Sequence, residues 1–504
     1  MYKMSGAHAV SDVKDKGAGE GEQGQMRVAF HNLGCKVNSY ELDIMRQKMA
    51  ARGYETVPFS DEADIYVINT CTVTNIADRK SRQMLHRAKK RNPNALVVAV
   101  GCYVETDPGR VGMDPAIDLA IGNNKKGEIA DLVEDFLSQF GDKGAQKEKE
   151  QDRTRENAQR RTLGGRTMED LTHRPRYEDM QLTDPGHTRV FCKIQDGCNQ
   201  FCTYCIIPYA RGRIRSRRPE EVIREITRLA QGGTGEVVLT GIHLSSYGLD
   251  WGAESGSVPF DAERSGANLL ELIGEIAEIP GIARIRLGSL EPRIITEQFV
   301  RPLSQIPQVC PHFHLSLQSG CDETLRRMNR RYTTAQFMES VQMLRQYWDR
   351  PAVTTDVIVG FPGETIAEFE ETERFLRQVD FYEMHVFKYS ARRGTVAAKM
   401  PVQIPEAVKN VRSDRLLAMT QEASDRYRQQ FIGQKEELYL EEIAETEAGP
   451  CWRGHTMRYV EGFIPTGRDD APGRSPLAKG QLVKGYFAGR QAGTQGLRFA
   501  LSGE

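Results

Sequence analysis

The chain has 504 residues, enough for two to four domains of ordinary size. Its 68 basic and 69 acidic residues give a formal net charge of −1, so a nucleic-acid site would have to be a local patch. The longest apolar run, residues 95–104, is too short to cross a bilayer, and no charged-then-apolar leader marks secretion. These features predict a cytoplasmic protein without a membrane anchor, whose ten cysteines serve thiol, metal or cluster chemistry rather than disulfides.

The first part of the chain predicts an α/β domain. Residues 1–25 are rich in glycine and charged residues and predict a disordered tail, or a true start at Met26. From residue 26 to residue 140, apolar runs alternate with amphipathic stretches, which predicts a parallel sheet covered by helices. A capping box of Asn38 and Glu41 predicts the start of the first helix. The predicted strands are 27–33, 65–70, 95–101 and 119–122, and the predicted helices are 38–51, 75–90 and one that ends near 140.

Three cysteines occupy equivalent positions in this domain. Cys35, Cys71 and Cys102 each follow one of the three longer predicted strands. The carboxyl ends of parallel strands share one edge of a sheet, so thiols far apart in sequence would meet there. A free cysteine is also a common core residue, and each of the three has that alternative. The repeated position favours a shared metal cluster.

The middle of the chain predicts a linker followed by a barrel. Residues 141–187 contain many charged residues and no Val, Ile, Phe, Trp or Cys, which predicts a solvated linker. Between residues 188 and 432, six predicted strands alternate with helices and indicate a partial (β/α)6 barrel. Residues 249–267 are predicted to be a loop insertion. The predicted strands are 189–194, 236–240, 284–287, 312–317, 353–359 and 383–389, and the predicted helices are 219–231, 269–279, 296–306, 334–348, 366–379 and 405–431.

Residues 433–504 predict a small all-β module. Short strand candidates are separated by Gly and Pro, at 437–443, 454–463, 481–487 and 497–501. Arg458 and Arg490 are candidates for RNA contact on this module. Its nearly balanced charge fits a solvated surface equally well.

The stretch from Gly197 to Arg218 carries the strongest chemical pattern. Cys198, Cys202 and Cys205 form C-x3-C-x2-C. Four cysteines close a [4Fe–4S] cluster, so three would leave one iron open. Structural zinc would need a fourth ligand, and no further Cys or His lies in the stretch; C-x-x-C redox chemistry would leave Cys198 unexplained. The pattern therefore favours an iron–sulfur cluster with an open iron.

An arginine run follows these cysteines. Arg211, Arg213 and Arg215 begin it and Arg218 ends it. It is predicted to contact RNA phosphates, with internal ion pairing or a solvated surface as the alternative. The histidines lack ligand spacing and are predicted to pack or hydrogen-bond rather than bind metal. They are His31, His243, His312, His314 and His385.

The cysteine motif, with Tyr204 beside Cys205, resembles the radical S-adenosylmethionine (SAM) superfamily. More narrowly, IQDGCNQFCTYCIIPYARGRIRSR (194–217) is similar to the methylthiotransferases. In the N-terminal domain HNLGCKVNSYE (31–41), NTCTVTNIADRKSR (69–82) and VGCY (100–103) are similar to the same family. The module at 433–504 resembles the TRAM domain, an RNA-binding β-barrel. The resemblance covers almost all of 26–504 except the linker and the loop insertion.

The resemblance implies two [4Fe–4S] clusters and SAM. One cluster would be held by Cys198, Cys202 and Cys205 and would bind SAM at its open iron. The other, held by Cys35, Cys71 and Cys102, would take part in supplying sulfur. One SAM would give a methyl group, and a second would give the 5′-deoxyadenosyl radical that removes a hydrogen atom. The loops after the barrel strands are expected to contact SAM through Tyr204, Gly241, Glu291, Gln318 and Asp356.

The residues beside the first two N-terminal cysteines indicate a substrate type. CKVN (35–38) and TVTN (72–75) resemble the type that acts on N6-threonylcarbamoyladenosine at position 37 of tRNA. The expected partners are the anticodon stem-loop and a low-potential electron donor such as flavodoxin or ferredoxin; the sulfur source is not indicated. The alternatives are isopentenyladenosine in tRNA, a ribosomal protein, and, in another class, a non-catalytic Fe–S or zinc RNA-binding protein.

Overall fold

The computed structural model describes residues 25–140, 166–167, 171, 176–178, 180–183, 188–252, 258–466 and 476–502. The described residues before Val73 and from Ile76 to Glu169 form one compact unit, and Val73–Asn75 with the described residues after Glu169 form a second. The predicted tail up to residue 24 and most of the predicted linker lie outside the described residues. Among the described helices, none combines the length and apolar character needed to span a bilayer.

The first unit is built on a six-stranded parallel sheet in the order β2-β1-β3-β4-β5-β6. The two central strands, β3 and β4, are buried along their whole length because their residues are apolar on both faces. The strands are β1 Arg27–Asn32, β2 Glu55–Val57, β3 Ile65–Thr70, β4 Leu96–Gly101, β5 Leu119–Ile121 and β6 Arg166–Thr167. The helices are α1 Lys36–Ala51, α2 Asn75–Arg91, α3 Cys102–Thr106, α4 Pro108–Met113 and α5 Ile129–Phe140.

Two predictions for this region are wrong. Helix α1 begins at Lys36 without a side-chain cap, because the Asn38 amide donates instead to the carbonyls of Leu33 and Thr70. The predicted linker is not solvated throughout, since β6 pairs with β5. Other described linker residues are buried, namely Leu171, Met180 and Leu182.

The second unit contains the predicted partial (β/α)6 barrel. Its sheets have the orders β8-β7-β9-β10 and β11-β12-β13, and parallel bridges at Ile285–Val309 and Leu290–Leu315 join them. All pairings are parallel except β7 with β8. The strands are β7 Arg189–Asp196, β8 Arg215–Ser216, β9 Glu236–Gly241, β10 Arg284–Leu287, β11 His312–His314, β12 Ala352–Val359 and β13 Glu383–Lys388.

Side chains alternate along these strands between the helices and the barrel interior. Val353, Val357 and Val359 of β12 pack in the core with the helices, so Thr354 and Asp356 face the inside. The helices are α6 Ile207–Arg211, α7 Pro219–Gln231, α8 Ala262–Ala277, α9 Glu297–Leu303, α10 Asp322–Arg327, α11 Thr334–Tyr347, α12 Ile366–Val379 and α13 Glu406–Gln429. Helix α8 begins inside the predicted loop insertion, because Asp261 accepts a hydrogen bond from the Arg264 amide and caps it.

The chain ends in a closed five-stranded barrel in the order β14-β15-β16-β18-β17. This confirms the all-β module. The single strand predicted at 454–463 is wrong, because a turn with Tyr459 at φ +65° divides it. The strands are β14 Lys435–Thr446, β15 Gly449–His455, β16 Glu461–Pro465, β17 Leu482–Arg490 and β18 Leu497–Leu501.

The five-stranded barrel closes the amino-terminal end of the six-stranded barrel. At that end the guanidinium of Arg284 donates to the carbonyls of His455 (2.7 Å) and Glu437 (3.0 Å). Arg286 donates to the carbonyl of Met457 (2.9 Å). Arg189 forms an ion pair with Glu441 at 2.9 Å. We call these contacts of Arg189, Arg284 and Arg286 the seal. They cover the amino-terminal end of the six-stranded barrel, so the carboxyl ends of the strands are left as its open end.

Candidate active site

The first cysteine triad lies in the loop that follows β7. The Cys198 amide donates to the Gly212 carbonyl (3.0 Å), and the Cys205 amide donates to the Cys202 carbonyl (2.9 Å). The loop is tight enough to require glycine before the first cysteine. Gly197 has φ +70°, and a Cβ there would lie 1.9 Å from the Arg213 carbonyl oxygen.

The three thiols lie close enough to influence one another electrostatically. Cys198 and Cys202 are buried, and Cys205 is partly accessible. Burial raises the pKa of Cys198, and the nearby Cys205 adds to the rise. Burial and then Cys202 raise the pKa of Cys205 to about 12. Metal binding displaces the thiol protons and leaves thiolate ligands. Three neighbouring thiols therefore fit an iron–sulfur cluster that is held by three thiolates.

Arg330 is a site residue that the sequence analysis missed. Its Nη1 lies 3.3 Å from the Cys202 sulfur. Burial opposes its charge, but Tyr332, Cys202 and other neighbours outweigh burial and hold the pKa of Arg330 well above its usual range. The side chain therefore places a fixed positive charge beside the thiolates. No sequence signal connects the two residues, which are far apart in the chain.

Two members of the arginine run lie inside the fold. Arg211 and Arg215 are buried and pair with Asp196 at 3.1 and 3.5 Å, and Lys193 joins the same carboxylate at 3.2 Å. RNA contact by Arg211 and Arg215 is therefore wrong, and the alternative of internal pairing is confirmed for them. Arg213 lies 4.6 Å from the centre of the Phe201 ring and is partly accessible.

Two of the predicted SAM-contacting residues lie in one polar group at the ends of β9 and β10. Glu291 accepts from His243 Nε2 (3.0 Å) and pairs with Arg293 (2.5 Å). Burial would raise the pKa of Glu291, but His243 and nearby arginines lower it to about 2. Gly241 leaves room for Gln195, because a Cβ would lie 2.9 Å from the Gln195 side chain. This group offers fixed charges of both signs, which suits the amino and carboxylate groups of SAM.

The other three SAM candidates lie elsewhere around the opening. Tyr204 is near Phe361, with ring centres 6.5 Å apart. Gln318 has φ +73°, and its amide donates to the Asp356 carbonyl (2.9 Å). The Asp356 side chain points into the barrel interior next to two histidines.

The two predicted RNA contacts of the C-terminal module differ in accessibility. Arg458 donates to the carbonyl of Asp349 (3.0 Å) and pairs with Glu436 (3.3 Å), so it belongs to the contact between the two barrels. RNA contact by Arg458 is not supported, because its donors are used there. The side chain of Arg490 is 57% exposed, with Asp425 at 3.5 Å, and remains a candidate.

The second cysteine triad lies along one edge of the sheet in the first unit, as predicted. Thr70 pairs with Gly101 at the ends of β3 and β4, so Cys71 and Cys102 follow paired residues. Cys35 follows β1, the other neighbour of β3. Cys71 and Cys102 are buried, and Cys35 is exposed. The set is compatible with a second three-thiolate cluster.

A buried polar network lies behind this triad and was also missed. Lys126 pairs with Glu41 at 2.5 Å, and neither side chain is exposed to solvent. Lys126 also donates to Asn69 (3.2 Å), and the Asn69 amide donates to the Asn38 carbonyl (2.8 Å). Asn38 in turn donates to the Thr70 carbonyl. The network connects α1, β3 and the residues before Cys71.

Two family models match the chain. That of the Radical SAM superfamily matches residues 192–376, and that described as Uncharacterized protein family UPF0004 matches residues 27–122. The first covers the cysteine triad, most of β7 and the strands β8 to β12. The second covers the strands β1 to β5 and the other triad.

Curated relatives extend over most of the chain. The chain is 38% identical over 462 residues to a protein of Bacillus subtilis (strain 168) named threonylcarbamoyladenosine tRNA methylthiotransferase MtaB; the match covers 91% of this chain and 94% of the relative. A protein of the same name from Aquifex aeolicus (strain VF5) is 38% identical, over 81% of this chain and 90% of the relative. A tRNA-2-methylthio-N(6)-dimethylallyladenosine synthase of Moorella thermoacetica (strain ATCC 39073 / JCM 9320) is 34% identical, over 82% and 87%. With a radical SAM cysteine triad at the open end of its barrel and relatives of this kind along its length, the chain belongs to the radical SAM methylthiotransferase family that acts on tRNA.

Proposed function

We propose that the chain adds a methylthio group to C2 of N6-threonylcarbamoyladenosine at position 37 of tRNA, using one SAM as methyl donor and a second as the source of a 5′-deoxyadenosyl radical. The observation that carries the proposal is the presence of two cysteine triads, each at the carboxyl ends of parallel strands. The substrate assignment is supported by the names of the relatives at 38% identity and by the residues beside Cys35 and Cys71.

The chemistry explains why a radical is needed. The C2–H bond of adenine is not acidic, so a side-chain base cannot activate it, whereas a carbon radical can remove the hydrogen atom. The bound cluster and SAM supply that radical, and the protein binds, orients and shields the reactants. Cys198, Cys202 and Cys205 would hold the cluster. The polar group of Glu291 and His243 would orient SAM, and the seal would restrict the entry of water at the far end.

The remaining parts take supporting roles in the proposal. Cys35, Cys71 and Cys102 would hold a second [4Fe–4S] cluster that takes part in sulfur supply. The five-stranded barrel would act as a TRAM-like RNA-binding module, with Arg490 among its accessible cations. A low-potential donor such as flavodoxin or ferredoxin would deliver electrons. Because tRNA is modified in the cytoplasm, the protein would work there.

The test is the nucleoside profile of tRNA from a host that lacks its own methylthiotransferases. We expect methylthio-threonylcarbamoyladenosine to be present when the wild-type chain is supplied. It should be absent with Cys198→Ala or Cys71→Ala. Cys321→Ala is the matched control, because Cys321 is a buried cysteine outside both triads. A profile in which only the methylthio derivative of isopentenyladenosine appears would contradict the substrate assignment.

Two further assays separate the enzyme from a non-catalytic RNA-binding protein. Anaerobically reconstituted protein should contain about eight irons per chain, and about four in Cys71→Ala. Incubation with SAM and a reductant should release 5′-deoxyadenosine. If the wild-type protein carries its clusters and releases none, the radical mechanism is wrong.

A further inference from the structure

Three metal-ligating side chains meet on the inner face of the six-stranded barrel, apart from both cysteine triads. His314 is on β11, Asp356 on β12 and His385 on β13, and these strands are direct neighbours. Asp356 pairs in register with His385, and His314 pairs with Thr354, two residues before Asp356. Since side chains two residues apart share a face, all three project to the same side.

The distances suit a metal ion. The His314 Nε2 lies 3.4 Å from Asp356 Oδ2, and the His385 Nδ1 lies 3.3 Å from Asp356 Oδ1. One ligand atom from each residue lies within 4.8 Å of the other two. A point among three atoms that all lie within 4.8 Å of one another can be about 2.8 Å or less from each, so a small movement of the side chains would reach the roughly 2.0–2.2 Å of metal–nitrogen and metal–oxygen bonds.

The surrounding contacts prepare one histidine for this role. The two imidazole rings are stacked, with centres 5.6 Å apart, so both rings lie beside the Asp356 carboxylate. The Nδ1 of His314 lies 3.0 Å from the Thr354 hydroxyl. When that nitrogen carries the proton and donates to Thr354, Nε2 has the free lone pair that a metal requires, and the ring orientation is fixed.

The ligand set indicates which ions the site would select. Two imidazoles and one carboxylate bind non-haem Fe²⁺ and Zn²⁺, and they leave coordination positions open for an oxygen ligand. His385 is half-exposed and Asp356 partly exposed toward the interior, whereas His314 is nearly buried. The open positions would therefore be directed at the space that the substrate base must enter.

We propose that His314, Asp356 and His385 bind one divalent transition-metal ion inside the six-stranded barrel, and that this ion takes an anionic oxygen of the substrate. The hydrogen bonds predicted for His314 and His385 are present; the metal would use the Nε2 of His314, which leaves its bond to Thr354 intact, and the Nδ1 of His385. The second half of this statement rests on the proposed function, because the threonylcarbamoyl group carries a carboxylate that isopentenyladenosine lacks.

The first experiment measures the metal alone. Holoenzyme with intact clusters is dialysed anaerobically against Zn²⁺, and zinc and iron are counted by mass spectrometry. We expect one zinc per chain in the wild type and at least tenfold weaker binding in Asp356→Asn and His385→Gln, with iron content and circular dichroism unchanged. The control is His86→Gln, which removes the imidazole of a surface pair with Asp114 and should keep the zinc.

The zinc content of the wild type and the variants decides whether the metal site exists. No zinc above the blank in cluster-loaded wild type would overturn it, and so would equal zinc in wild type, Asp356→Asn and His385→Gln. This measurement needs no tRNA, so it stands even if the nucleoside profile contradicts the proposed substrate.

The second experiment tests the oxygen ligand. Anticodon stem-loops with threonylcarbamoyladenosine or plain adenosine at position 37 are titrated against holoenzyme with Zn²⁺ or with EDTA. We expect zinc to tighten binding of the modified RNA about tenfold, or about 1.4 kcal/mol, and to leave the unmodified RNA unchanged. An equal response of the two RNAs would overturn the role of the ion in substrate binding.

Discussion

Replacing Lys126 with methionine should loosen the sheet edge that carries the second cysteine triad. Methionine keeps an unbranched apolar side chain that follows the stem of lysine, but it lacks the charged ammonium group. Glu41 would then keep a buried carboxylate without its cationic partner, because both side chains are fully buried in the native state. The hydrogen bond to Asn69 would be lost as well.

The expected magnitude follows from this burial. Removing one partner of a buried ion pair costs about 3–5 kcal/mol, because the remaining charge stays desolvated. Replacing both partners, as in Lys126→Met with Glu41→Leu, leaves no buried charge and should recover most of that loss. The neighbouring Lys125 is the matched control, since its partner Glu128 is half-exposed and at 2.7 Å. Lys125→Met should change little.

Amide hydrogen exchange measures the effect in the full chain. Protection of β3 and β4 reports the opening of this sheet, and the loss should accelerate exchange by roughly two to four powers of ten in Lys126→Met. Strands β12 and β13 of the second unit should exchange as in the wild type. If Lys126→Met behaves like Lys125→Met, the buried pair does not hold this edge together and the reasoning is refuted.

Three further changes test other parts of the structure. Gly197→Ala should lower the iron content from about eight to about four per chain. The control is Gly274→Ala, at a helix position with open space around it, which should keep the iron and add roughly 0.5–1 kcal/mol of stability. Equal iron in the two variants would contradict the steric argument. Burial and then Arg87 lower the pKa of His31 in the folded state, so its contribution to stability is present above pH 6.5 and is lost progressively as the pH falls from 6.5 through the lowered pKa. Thermal unfolding from pH 7.5 to 5.5 should therefore change less in His31→Gln, and parallel curves would refute this. Arg490→Gln should reduce the salt dependence of tRNA binding by about one phosphate contact, whereas Arg211→Gln should leave it unchanged and lower stability, and the opposite ranking would restore an RNA role for the arginine run.

The strands were the most predictable part of the fold. Residues 65–70 and 284–287 were predicted with the boundaries that the structure has, because strands buried on both faces are continuous apolar runs or alternate regularly between turns. Helix α1 was placed two residues late, because Asn38 and Glu41 match a capping box while their side chains have tertiary partners. A local motif does not reveal which partner a buried polar group finds.

In the candidate site, too, some residues could be predicted from the sequence and others could not. The cysteines were found because their spacing is local and specific. The arginine run was misread because its counter-charge, Asp196, also accepts from Lys193 and binds two of the arginines, which sequence spacing alone does not show. Arg330 was missed because it reaches Cys202 only through the folding of the six-stranded barrel.

The seal limits how a truncated chain can be interpreted. Cutting before residue 433 would remove the carbonyls that hold Arg284 and Arg286, together with the carboxylate that pairs with Arg189. Three guanidinium groups would then face solvent at the floor of a hollow barrel, and water would have a second route to the reactants. A shortened protein that fails to modify tRNA would therefore have lost the closure of the six-stranded barrel as well as an RNA-binding module. Point variants on the outer surface of the five-stranded barrel would separate these two effects.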